Sequence, residues 1–241
     1  MEVWYGWFAV FALLTMLPLA LLLRRPPPDS APGAGEMASG ANGEVLGLRP
    51  RTVQGLMWFA VIGCCGAMSM PIVHLVSLAT DLGHPQLHAA QLLSVLFATA
   101  FISRIGFGLL ADRIGAFPTL LIASSSQAAM MIAFAFVQSL GGLYVAAALF
   151  GLGFAGIMPC YALVIRVLFP ASQAGWRIAG QYLFGAIGMG LGGWLGGAIY
   201  DLSGSYTWAF LIGFALNLGN IAVILPLALR HRAVVLRLQP A

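Results

Sequence analysis

The chain has 241 residues, of which 61% are hydrophobic and 7% charged, with a formal net charge of +4. Soluble domains carry about 25% charged and about 45–50% apolar residues, so 11 basic and 7 acidic side chains cannot clothe a water-exposed surface. A soluble enzyme, a nucleic-acid reader and a secreted disulfide scaffold are excluded, which leaves an all-α polytopic membrane protein.

A bilayer core about 30 Å thick takes roughly 20 apolar residues at about 1.5 Å rise each. Seven stretches qualify: 4–23, 54–79, 89–111, 117–138, 142–168, 178–200 and 207–229. Short polar or Gly/Pro breaks separate the last six. The segment between the first two is rich in Pro, Gly, Ala and Ser and reads as a flexible linker. The predicted organisation is a membrane helix over 1–23, a linker over 24–52, a six-helix bundle over 53–230 and a tail over 231–241. The first stretch is not a signal peptide: it starts Met-Glu-Val and its arginines follow the apolar run, the reverse of a leader.

All 11 basic residues are arginines. Arg24, Arg25, Arg49 and Arg51 bracket the linker. Arg113 and Arg177 fall in alternate later breaks, and Arg230, Arg232 and Arg237 follow the last span. The positive-inside rule puts these segments in the cytoplasm and Met1 outside. Trp4, Tyr5, Tyr206 and Trp208 then fall at the outer boundary, as an aromatic belt. Cys64, Cys65 and Cys160 sit in apolar runs, with no metal-ligand spacing and no even disulfide framework.

The second and fifth spans share a feature. Gly63 and Pro71 recur as Gly151 and Pro159, three helices later. An odd number of helices between copies inverts them in the membrane, which predicts two inverted three-helix repeats. The sixth span is dense in glycine, with Gly188, Gly192 and Gly196 on one helical face. Such a face suits close packing, either static or as a sliding interface.

Residues 103–115 read S-R-I-G-F-G-L-L-A-D-R-I-G. Gly108, Leu110, Ala111, Asp112, Arg113 and Gly115 resemble the signature loop of the major facilitator superfamily, with Ala116-Phe117 in place of its trailing Arg-Lys. The stretches His74–Gly83, Ala89–Leu93 and Asp201–Tyr206 are similar to the monocarboxylate-transporter and oxalate/formate-antiporter branch. That resemblance implies helices six to twelve of a twelve-helix carrier. The bundle over 53–230 is then one half, and the amino-terminal half is expected from elsewhere.

Arg104 lies eight residues before Asp112, about 12 Å of helix deeper in the membrane. An ionised group there is costly unless it faces an interior or a water-filled cavity. No interior Asp or Glu is available on the six helices, so the simplest partner is an anionic substrate gripped bidentately. The alternatives are snorkelling and a carboxylate from another bundle. The resemblance implies a substrate-binding role at this position. The aspartate found four residues earlier in that branch is Ala100 here, which leaves proton coupling open.

His74 lies seven residues before Asp81, and an imidazole changes charge near physiological pH. It suits either a substrate cavity with a proton relay or a hydrogen-bonded packing site. Gln181 and Tyr182 are candidate substrate contacts, and Gln127, Asn217 and Asn220 are polar groups with substrate or a neighbouring helix as partner. Gly108, Asp112, Arg113 and Gly115 are the expected gating loop, with an ordinary charged turn as the alternative.

The expected function is a secondary transporter of a small organic anion such as a monocarboxylate. It would work by alternating access in a cell membrane, with a coupled proton as a further option. No cofactor, metal or nucleic acid is expected. A half-carrier inactive alone, and a membrane receptor or assembly protein reusing the bundle, are the alternatives. The string G-L-G-F-A-G at 151–156 lies inside a span with no preceding strand, so it is no nucleotide fingerprint.

Overall fold

The polar and Gly/Pro breaks in the sequence are turns of one to four residues, short enough to force antiparallel neighbours. The computed structural model describes residues 7, 10, 11, 13–18 and 44–238. They fall into two units, residues 1–33 and 34–241. In the first unit the described residues are helical and exposed. Trp4, Tyr5, Arg24, Arg25 and the linker to residue 43 lie outside the described residues.

The second unit holds seven helices: α1 (Pro50–Asp81), α2 (Gln86–Ile114), α3 (Ala116–Phe136), α4 (Leu140–Phe154), α5 (Ile157–Leu168), α6 (Ala171–Ser203) and α7 (Tyr206–Leu238). α4 and α5 are two pieces of one span, so among the described residues six helices are long and apolar enough to cross a membrane. No strand occurs among the described residues.

Local chemistry sets the helix ends. Pro50 opens α1, where its missing N–H costs nothing. Pro85 and Pro170 hold an extended conformation just ahead of α2 and α6. Ser139 caps α4 by accepting from the Gly142 amide. Gly115 (φ 89°) makes the one-residue turn between α2 and α3, in a region that only glycine enters cheaply.

Two boundaries differ from the sequence expectation. The linker stops being featureless before Thr52: residues 45–48 close a turn through Leu46 (φ 55°) and Gly47 (φ 71°). Val45 and Leu46 are buried, because these apolar side chains can join the core despite the Gly/Pro/Ser composition before them. The last helix also continues past 229 to Leu238, through residues expected to form a tail.

The packing follows the two halves of the bundle. α1 packs on α6 and α7, α4 packs on α2 and α3, and α3 packs on α7. Exchanging α1–α3 with the α4/α5 span, α6 and α7 maps these pairings onto one another, the pattern of two interlocked inverted repeats. The Gly/Pro pairs are not equivalent in detail. α1 is continuous through Pro71, whereas the second copy breaks at Ala155-Gly156. Pro159 lacks the N–H that would reach the Ala155 carbonyl, and its ring crowds that same oxygen. Gly156 sits against the Phe107 ring, where a Cβ would collide, so α2 packs into the break.

α1 is the central element. Eight consecutive residues, Cys64 to Pro71, are buried, so α1 is enclosed on all sides at that level. α2 and α6 are the reverse, with 22% of their apolar windows buried.

Candidate functional site

On α6 the buried residues are Arg177, Gln181, Gly185, Gly188, Gly192 and Gly196. Steps of three or four make this one straight seam, and it faces α1. At its glycine end the two backbones nearly touch. A Cβ on Gly188 would sit 2.6 Å from the Ile62 carbonyl oxygen, and one on Gly192 would fall on the Gly66 carbonyl. Only glycine permits that approach.

His74 closes the glycine end of the seam. Its Nε2 is 2.9 Å from the Gly193 carbonyl oxygen. A carbonyl only accepts, so Nε2 carries the proton and donates. The Tyr206 ring lies 5.3 Å from the imidazole. Gln181 is fully buried and donates from Nε2 to the Met57 carbonyl at 3.0 Å. Tyr182, the next residue, points away from the seam and is 47% exposed.

The other polar groups form a knot between helices. The Gln127 amide donates to the Cys64 carbonyl at 2.9 Å. Asn217 donates to the Ser124 carbonyl and Asn220 to the Ser124 hydroxyl, at 2.8 and 3.0 Å. The Tyr161 hydroxyl donates to Asn220 Oδ1. All five side chains are buried, so this knot ties α1, α3, α5 and α7 together. Interhelical bonds of this kind average about 0.6 kcal/mol and reach about 1.7.

Arg104 does not face the interior of this bundle. α2 turns Leu96, Ala100 and Ser103 inward, and the Ser103 hydroxyl donates to the Leu152 carbonyl on α4. That register leaves Arg104 on the uncovered face with Phe97, Phe101, Gly108 and Asp112, all exposed. Among the described residues no hydrogen bond or ring contact joins Arg104 to His74, Gln181 or Tyr182. Arg113 is exposed too, and a Cβ on Gly108 would meet nothing within 4 Å. Of the two loop glycines, Gly115 is required by backbone conformation and Gly108 borders open space.

One residue stands out that sequence reasoning used only as an orientation marker. Arg177 is 5% exposed. Its Nε and Nη2 donate to Gln173 Oε1 at 3.2 and 2.7 Å, and its Nη1 to Gln54 Oε1 at 3.1 Å. The guanidinium lies 3.8 Å from the Phe169 ring centre and 4.4 Å from that of Trp176. The signal was present as Gln173, Arg177 and Gln181, a polar ladder at four-residue spacing.

Two apolar cavities, of about 260 and 350 Å³, open along the groove between α1, α6 and α7. Gly63, Ile62 and Leu216 line both. Neither cavity includes Arg104 or His74.

Comparison with known proteins agrees with this arrangement. A family model described as Major Facilitator Superfamily matches residues 3–175. Monocarboxylate transporter 13 of Rattus norvegicus is 29% identical over 160 residues, covering 66% of this chain and 37% of that protein. The E. coli fucose:proton symporter superposes with a TM-score of 0.66 at 17% identity, covering 93% of this chain and 55% of the symporter. An auto-inhibited POT family peptide transporter gives 0.64 at 22% identity, covering 75% of this chain and 38% of that one. The chain thus spans between 37% and 55% of the length of these relatives.

Proposed function

Because the chain belongs to the Major Facilitator Superfamily, a family of transporters and not of enzymes, we propose that it is part of a secondary carrier for a small organic anion such as a monocarboxylate. Arg104 is the residue that holds the carboxylate. The observation that carries this reading is the placement of Arg104 on the uncovered face of α2, with no acidic partner among the described residues. A guanidinium at that depth needs an anion or water, and a carboxylate fits its planar fork. The likeness to a monocarboxylate transporter supports the same substrate class.

α2 and α6 flank the bundle with largely uncovered faces, and these are the surfaces offered to a second six-helix bundle. Arg104 from α2 and Tyr182 from α6 reach the space between the bundles. His74 and Gln181 set the geometry of the α1–α6 seam behind it. Asp112 and Arg113 meet the second bundle at the arginine-rich end, which faces the cytoplasm of a cell membrane by charge. Rocking of the two bundles then exposes the site to either side.

The test is uptake of radiolabelled monocarboxylates into proteoliposomes containing the native protein, comparing wild type with Arg104→Ala. Uptake that disappears in a variant inserted at wild-type level supports the assignment. Undiminished uptake removes Arg104 from the site.

A further inference from the structure

We propose that Arg177, Gln54 and Trp58 form a phosphate-binding site where α1 and α6 emerge from the bilayer. It lies outside the Arg104 region and does not depend on the transport reading.

Arg177 is always charged, yet the groups that hold it are the neutral amide oxygens of Gln54 and Gln173. A buried cation without a counter-charge is strongly unfavourable, and the two aromatic rings over it offset only part of that cost. The guanidinium uses three of its five N–H groups in these bonds, so two remain to be spent.

The groups around it repeat the same demand. Gln54 is 2% exposed, and its Nε2 has no acceptor although its Oε1 is bound to Arg177. Trp58 lies one turn further along α1, and its buried Nε1–H is also without an acceptor. That indole nitrogen is 3.2 Å from where a Cβ on Gly180 would stand, three residues after Arg177 on α6. Donors from both helices therefore lie along one seam and outnumber the unpartnered acceptors there. Gln181 Oε1 is the one unpartnered acceptor there, and it can accept a hydrogen bond from the O–H of a singly protonated phosphate or of a headgroup hydroxyl.

Depth indicates the source of the phosphate. α6 has 33 residues, about 50 Å of helix, against a hydrocarbon core about 30 Å thick. If α6 is centred in the bilayer, roughly 10 Å overhangs at each end. Arg177 is the seventh residue of α6 and Gln54 the fifth of α1, so both lie at headgroup level. Trp58 and Trp176 are aromatics of the kind that settle at this boundary. Arg49, Arg51 and Arg113 crowd the same end of the bundle, a field that gathers anionic headgroups. A phosphodiester headgroup and free inorganic phosphate share the recognised chemistry, and the test separates them.

The full chain is purified in maltoside detergent and its thermal midpoint and tryptophan fluorescence are followed. Dioctanoyl phosphatidylglycerol, dioctanoylglycerol and inorganic phosphate are titrated separately. Phosphatidylglycerol should raise the midpoint and shift the fluorescence, and the phosphate-free dioctanoylglycerol should do neither. Arg177→Gln should weaken the response by about tenfold or more, the scale of a lost charge-assisted contact. Because that variant risks poor folding, Trp58→Phe is the companion. It removes the indole N–H, so the midpoint rise produced by phosphatidylglycerol, measured from the variant's own basal midpoint, should require a severalfold higher lipid concentration. An equal response to inorganic phosphate alone supports the site with free phosphate as its ligand. Equal stabilisation by dioctanoylglycerol, or an Arg177→Gln titration that overlays wild type, overturns the proposal.

Discussion

The imidazole of His74 occupies the space that a side chain on Gly196 would need. A Cβ built on Gly196 falls 2.7 Å from both Cδ2 and Nε2 of the ring, while that same Nε2 donates to Gly193 one turn earlier. Histidine and glycine thus form a knob and a hole between α1 and α6, and each residue explains the other.

Gly196→Ala should therefore lower the thermal midpoint of the detergent-solubilised protein, with a cost of about 1–3 kcal/mol, as for overpacked cores. His74→Ala vacates the space, so the double variant should be more stable than the sum of the two single effects. Strict additivity in this double-mutant cycle would show that the ring and the glycine do not compete.

Arg104→Lys separates a fork from a point charge. Lysine keeps the positive charge but not the paired donors. Carboxylate uptake should fall by about tenfold or more, chiefly through KM, at the scale of about 1.4 kcal/mol per decade. Arg104→Ala should abolish uptake without altering the melting profile, because Arg104 is exposed and makes no hydrogen bond or ring contact with the described residues of its own bundle. A large drop in midpoint for either variant would make the residue structural.

Tyr161→Phe removes the donor to Asn220 Oδ1 and leaves that buried oxygen unmet. The expected loss is about 1–2 kcal/mol of stability, with substrate affinity unchanged because Tyr161 is fully buried. Parallel urea or thermal unfolding and uptake assays check both halves of this statement.

The α4–α5 break gives a fourth test. Gly156→Ala should destabilise the protein because the new methyl meets the Phe107 ring, and Phe107→Ala should restore part of the loss. Pro159→Ala returns the missing N–H to the Ala155 carbonyl and should heal the break, read as a continuous helix in a structure of the variant. A break that persists would shift its cause from Pro159 to the packing of Phe107.

Much of this architecture was legible in the sequence because bilayer thickness leaves few choices. Twenty-residue apolar runs separated by Gly, Pro and polar breaks define seven stretches, of which the last six are the spans of the bundle, and S-R-I-G-F-G-L-L-A-D-R-I-G ties them to a family. The glycine face of α6 was legible for the same reason, since a four-residue spacing defines a line on a helix. Side-chain direction was not. Gln181 and Tyr182 are neighbours in the chain, yet one is sealed against α1 and the other stands outside. For Arg104 the sequence left a bundle interior and a water-filled cavity open, and in this bundle Ser103 takes the inward direction while Arg104 is exposed. Nor does hydropathy flag Arg177 as buried, because its partners Gln54 and Gln173 lie on two helices and only packing unites them.

The seam between α1 and α6 also dictates how this protein can vary. At Gly188 and Gly192 the obstacle to any side chain is backbone carbonyl, which no repacking of neighbours can clear. At Gly190, two residues from each and so on the opposite side of the helix, a Cβ meets nothing within 4 Å. A saturation library would accordingly record near-total intolerance at 188 and 192 and broad tolerance at 190. Lineages are then free to drift on the outer surface of α6 while its inner line stays fixed, one helical turn at a time.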